Sequence, residues 1–232
     1  MDDIEAMFGD AGAEADKQSA SATTTVNTTA TREPVKFNIW EDEPVPREFV
    51  IADLKRNTKT YTIASFGKVP YDLLDKVPTL AKLLVTKGYT LNAPADTKDK
   101  LLNEAIENTT EVKYYLPFKK ANLNVTPTVA YPYKDAYDIS ANYAFKYENL
   151  KPGLKSYLAA GIHLLTGVLC EAPVDFILLY TECGKEDDNR IDYKAVGSNI
   201  STLLKYATIL NIPVFNLGNA DAIERLTKHL GE

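Results

Sequence analysis

Only a few side chains in this 232-residue chain have the chemistry for binding or catalysis, and their spacing narrows what that chemistry is. There are two histidines, His163 and His229, and two cysteines, Cys170 and Cys183. The cysteines have neither metal-ligand spacing nor a disulfide framework and read as buried or half-buried thiols. His163 lies on an otherwise apolar helical pattern and reads as a core residue. No Ser/His/Asp arrangement, carboxylate pair or metal cluster can be assembled from these positions, so neither a metal nor a cofactor is expected. What remains suits an anion. Gly197-Ser198-Asn199 opens a helical pattern. Its glycine lets a ligand approach the backbone, and the helix start is electropositive. Ser198 can equally serve as a helix N-cap. Ser65 and Lys68, on either side of Phe66 and Gly67, offer a hydroxyl and a positive charge to the same kind of ligand. Thr181 and Glu182 end the most apolar run in the chain.

Those residues have to be positioned by the elements around them. Thr60–Ser65 is β-rich and ends at Gly67, and residues 71–87 repeat apolar positions at Leu73, Leu74, Val77, Leu80, Leu83 and Leu84. A strand, a turn and an amphipathic helix are expected there, closed by Gly88. Tyr89–Leu91 reads as a second strand, followed by a helix to Asn108 capped by Asp96 or Thr97. Glu111–Leu116 reads as a third strand. The stretch 118–149 is rich in tyrosine and weakly periodic, so it reads as an insertion with short helical pieces. A helix over 150–169 leads to Val174–Thr181, whose unbroken apolar run fits a central parallel strand covered on both faces. A helix over 198–210, a strand over 212–216 and a last helix over 220–229 complete the pattern. Alternating strands and helices of ten or more residues imply an α/β fold with a mainly parallel sheet and helices on both faces. In such sheets ligands bind beyond the carboxyl ends of the strands. The loops there are 65–68, 92–96, 116–119, 181–184 and 197–199.

The net charge of −6 points away from a general nucleic-acid binder, but the charge is unevenly placed. Residues 1–34 hold seven acids against Lys17 and Arg32, so five of the six negative units sit there. Between Gln18 and Arg32 the residues are Ser, Thr, Ala and Asn with one valine, too few apolar side chains to offset the entropy of ordering. Residues 1–35 therefore read as a disordered acidic arm, and 36–232 as the folded domain, nearly neutral. Ile4, Met7 and Phe8 are spaced to form one apolar helical face on a protein partner. No run of about 18 apolar residues occurs, so no spanning helix is expected, and the first residues lack the pattern of a secretory signal. A cytoplasmic location follows as the expectation, the host cytoplasm if the chain is phage-encoded.

The order of the loops resembles a known family. Ala64-Ser65-Phe66-Gly67-Lys68-Val69-Pro70 stands where the family has a Gly-Ser-Arg-like turn before a proline. Asn92-Ala93-Pro94-Ala95-Asp96-Thr97-Lys98-Asp99 stands for its glycine-rich loop opening a helix, with alanines and a proline where glycines are usual. Leu116-Pro117-Phe118-Lys119, Pro173-Val174-Asp175-Phe176 and Gly197-Ser198 follow in the expected order, and Asn211-Ile212-Pro213-Val214-Phe215-Asn216-Leu217 is the most specific match. Over about residues 58–219 the chain is similar to the Rossmann-like SLOG superfamily, which includes the DNA-processing protein A fold and the Lonely-guy phosphoribohydrolases. The resemblance implies a doubly wound fold and a nucleotide or nucleotide derivative as ligand. It places Ser65, Phe66, Gly67, Lys68, Asn92, Ala93, Asp96, Asp99, Thr181, Gly197, Ser198 and Asn199 around that ligand, with Asp99 accepting from a ribose hydroxyl or base. Self-association is also implied.

The Lonely-guy enzymes carry a glutamate after their Gly-Thr turn, and here no acid follows Gly197 on its helix. The resemblance therefore implies a nucleotide-binding or nucleotide-sensing module with reduced catalysis. A nucleotide N-glycosidase would have to use Glu182, Asp99 or Asp96 as its acid or base. A third alternative, resembling DNA-processing protein A, binds single-stranded DNA through Lys68, Lys98, Lys119, Lys120 and the tyrosines of 131–147. A fourth is an interaction protein that presents the acidic arm.

Overall fold

The computed structural model describes residues 54–94, 98–118, 125–144, 146–188 and 193–231, with no side-chain description at 193–196 and 198. The arm over 1–35, Asp96, Lys119 and Lys120 lie outside the described residues.

Among the described residues six strands form one sheet: β1 Thr60–Phe66, β2 Thr90–Pro94, β3 Val112–Tyr115, β4 Pro127–Val129, β5 Phe176–Thr181 and β6 Val214–Asn216. Their order is β4-β3-β2-β1-β5-β6, and every neighbouring pair is parallel. Among the described residues seven α-helices accompany them: α1 Tyr71–Leu74, α2 Val77–Thr86, α3 Lys100–Glu107, α4 Lys134–Tyr143, α5 Pro152–Thr166, α6 Tyr193–Leu210 and α7 Ala222–His229. This is the Rossmann-like doubly wound α/β architecture that the alternating pattern implies.

The two faces of the sheet can be read directly from β5, in which all six residues are buried. Ile177 and Leu179 pack on one side among residues of α4, α5 and α6. Phe176, Leu178 and Tyr180 pack on the other with α2, α3 and α7. Alternate side chains of a strand point to opposite faces, so a strand sandwiched between two helical layers must be apolar at every position. On the second face Phe176 stacks on Tyr61 at 5.7 Å between centroids, and Phe215 and His229 meet its ring edge-on at 5.9 and 5.8 Å.

Several local expectations are corrected. The helix expected over 71–87 is two helices, because Pro78 sits in the first turn of α2 and cannot donate to a preceding turn. The strand at 89–91 runs on to Pro94, so Asn92 and Ala93 belong to β2 and are buried, not part of a loop. The helix that follows is capped by Asp99, whose carboxylate accepts from the Leu102 N–H at 3.1 Å, and not by Asp96 or Thr97. The aromatic segment after Phe118 supplies the edge strand β4 and a ten-residue helix, α4. Its weak periodicity hid this because α4 buries Asp138 and Ser140 beside Ala136, Tyr137 and Ile139. Polar residues at core positions dilute the apolar stripe on which the period depends.

Candidate functional site

Beyond β1 the chain turns toward β2, and on the other side lies β5, so the strand order reverses between β1 and β5. At the carboxyl edge there, where open α/β sheets bind ligands, the chain leaves a cavity of about 630 Å³. Its mouth is formed by the turn after β1, Phe66-Gly67-Lys68-Val69, by Tyr71 and by Lys98–Lys100. One wall is α5, through Leu154, Tyr157, Leu158, Ala160, Gly161 and Leu164, and the opposite wall is α6, through Asn199, Ile200, Thr202, Leu203 and Tyr206. Ile63, Pro94, Leu102, Tyr115 and Pro117 line the rest. The interior is apolar and aromatic, whereas lysines 68, 98 and 100 stand exposed at the mouth.

Ser65 and Asp99 meet at the rim. The Ser65 backbone N–H and hydroxyl both donate to the Asp99 carboxylate, each at 2.6 Å, while the same carboxylate caps α3. Asp99 is the one acidic residue among the described lining residues, and it accepts three hydrogen bonds from the protein itself.

Gly197 is a break within α6, with φ 72° and ψ 157°. A Cβ there would stand 2.5 Å from the Phe66 ring, so the glycine is what lets Phe66 lie across the start of the helix. Asn199 is on the cavity, whereas nothing is described of the Ser198 side chain. A Cβ at Gly67 would stand 3.4 Å from the Glu182 carboxylate, which puts exposed Glu182 beside the turn but not among the lining residues.

The remaining expected residues lie elsewhere. Asn92 is 2% exposed and donates from Nδ2 to the Leu164 carbonyl at 2.9 Å, pinning α5 to the sheet. Ala93 is buried on the face covered by α2 and α3. Thr181 is buried and holds Asn216, which donates from Nδ2 to its hydroxyl at 2.7 Å and accepts its N–H at 3.1 Å.

Asn216 belongs to a clamp that the residue pattern did not reveal. Its backbone N–H donates to Glu186 at 2.8 Å, Asn219 donates to the same carboxylate at 3.1 Å, and Arg225 binds it with two N–H groups at 2.9 and 2.6 Å. Burial raises the Glu186 pKa, but the hydrogen bonds from Arg225, Asn216 and Asn219 outweigh it and hold the carboxyl below its ordinary 4.5. This clamp fills the carboxyl edge between β5 and β6 among the described residues, whereas the cavity lies on the β1 side of β5.

His163 is fully buried. Its Nε2 accepts the Tyr133 N–H at 2.9 Å, so the neutral ring carries its proton on Nδ1, which donates to the Gly167 carbonyl at 3.0 Å. Burial lowers its pKa from 6.5 against the Gly167 hydrogen bond, which raises it. The ring joins α5 to the segment before α4 and is not on the cavity. Cys170 is buried 3.5 Å from the same Nδ1, and burial pushes its thiol up to about 12, so it is inert. Among the described residues no group of three His, Cys, Asp or Glu could hold a metal ion, and no helix is long and apolar enough to cross a membrane.

Fold and cavity together define a doubly wound α/β protein with a cleft at its topological switch point. Comparison with protein-family models, with curated proteins and with solved structures finds no match.

Proposed function

We propose that the domain binds a nucleotide or nucleotide derivative in the cavity above β1, in the manner of the SLOG proteins it resembles, with little or no catalysis. The observation that carries this is the position and polarity of the cavity: an apolar, aromatic interior at the switch point, opening onto Lys68, Lys98 and Lys100. A base would lie in the interior and a phosphate at the lysines, where ammonium groups act as point charges for it. Reduced catalysis is favoured because Asp99 is committed to Ser65 and the cap of α3, and His163 is sealed in the core.

A thermal-shift titration of the full chain with nucleoside mono-, di- and triphosphates tests this. Ligand at 100 times its Kd adds about 2.7 kcal/mol to stability, a shift of several degrees in a domain of this size. No shift with any of them would remove the reading. Release of free base from a nucleoside monophosphate would replace it with the N-glycosidase alternative, in which Glu182, beside Gly67 in the turn after β1, serves as acid or base.

One feature favours the single-strand alternative: Tyr71 and Tyr157, 74% and 40% exposed, stand at the mouth with the lysines. Bases stack on such rings. That alternative requires binding to short single strands that weakens steeply with salt.

A further inference from the structure

Gly161 sits in the middle of α5, where glycine is the poorest helix former after proline, and its backbone is helical with no positive φ. Nothing in the backbone geometry requires it. Packing does not require it either, because a Cβ added there would meet no atom within 4 Å. The open space is the cavity itself, since Gly161 is one of its lining residues. Along α5 this wall is lined by Leu154, Tyr157, Leu158, Ala160, Gly161 and Leu164; Ala160 is small, and Gly161 alone has no side chain. Tyr206 of α6, a residue 2% exposed, lines the same cavity.

We propose that Gly161 is a specificity-determining position, and that the notch it leaves in the α5 wall receives a planar aromatic ring belonging to an anionic ligand whose charge rests at Lys68, Lys98 and Lys100. This rests on the cavity assigned above but not on the ligand being a nucleotide: the shared chemistry is an aromatic ring joined to an anionic group, from a nucleotide or from another aromatic anion. Leu158, Leu164 and Tyr115 line the same cavity with apolar or aromatic surface, which suits a ring better than a sugar. A side chain at position 161 would occupy the ring's place without disturbing the fold.

The experiment compares the full chain with its Gly161→Leu, Gly161→Ala and Gly153→Leu variants. Gly153 is on the same helix, is equally open, and lies off the cavity. Two probes are titrated into each protein, adenosine 5′-monophosphate and the fluorescent aromatic sulfonate 1-anilinonaphthalene-8-sulfonate, with ribose 5-phosphate as a ringless anion. The expected result is an unchanged or raised Tm for Gly161→Leu and at least a tenfold loss of affinity for each ring-bearing probe that the parent chain binds. Gly161→Ala should lose less, and Gly153→Leu should match the parent. A fall in Tm of several degrees for Gly161→Leu overturns the proposal, because it means the space is not free. Unchanged affinity in that variant, or ribose 5-phosphate binding as tightly as the ring-bearing probes, also overturns it while leaving nucleotide binding in place. Binding of the sulfonate alone, sensitive to Gly161→Leu, upholds the notch and removes the nucleotide reading. Binding of neither probe by the parent chain removes both.

Discussion

Ser65 and Asp99 are joined by two hydrogen bonds of 2.6 Å, from the backbone N–H and from the hydroxyl, to the two oxygens of one carboxylate. One side chain thus ties the carboxyl end of β1 to the start of α3 and fixes the rim of the cavity. Asp99→Ala removes the cap and both bonds, and the combined loss should be about 2–4 kcal/mol in urea unfolding. Asp99→Asn keeps one acceptor oxygen and should lose less. If the Asn variant instead kept full stability while abolishing a turnover measured in the parent chain, Asp99 would be an acid or base and its structural assignment would be wrong.

Gly197 is packed against Phe66, which borders the cavity. Its φ and ψ lie in a region that only glycine enters at low cost, and a methyl there would collide with the Phe66 ring. Gly197→Ala should therefore destabilise the domain by about 1–3 kcal/mol. Tyrosine and tryptophan fluorescence during urea unfolding would measure it, and a neutral result would mean that the turn relaxes freely.

His163 gives stability a pH dependence. Its folded pKa is below 6.5, so on acidification the unfolded chain takes up a proton that the buried ring refuses. Stability should therefore fall as pH drops below 6.5 and level off below the folded value. His163→Phe should abolish that slope and cost about 1–3 kcal/mol near pH 8, because the Tyr133 N–H loses its buried acceptor. A stability profile between pH 8 and 5 that is identical in the variant and the parent would rule out the neutral, hydrogen-bonded ring.

Glu186 acts in a separate window. Its folded pKa lies below 4.5, so its contribution is present above pH 4.5 and is lost as the pH falls through the folded value. Both it and Arg225 are partly exposed, so added salt should weaken the effect. In Glu186→Gln the decline of Tm below pH 4.5 should be shallower than in the parent chain, and an equally steep decline would show that the clamp does not set it.

The alternation of apolar runs was enough to derive a parallel α/β sheet, because burial on both faces demands unbroken apolar residues in strands such as Phe176–Thr181 and a 3.6 period in helices such as α5. It also located the carboxyl-edge loops, and Ser65–Lys68, Asp99 and Asn199 do border the cavity. Other features had no local signal. Asn92 and Thr181 have side chains that a ligand loop would use, yet their partners, the Leu164 carbonyl and Asn216, are 72 and 35 residues away. The polar run after Thr181 contains Glu186, which looks solvated until α7 brings Arg225 to it. The character of the cavity wall was equally hidden, because Gly161 and Tyr206 sit on different helices and come to line one cavity only when α5 and α6 pack over the sheet. Hydrophobic period is a property of neighbours along the chain, and so it determined the elements. Which polar groups pair with one another, and which space stays open, depends on contacts between distant segments, and only the folded chain decided those.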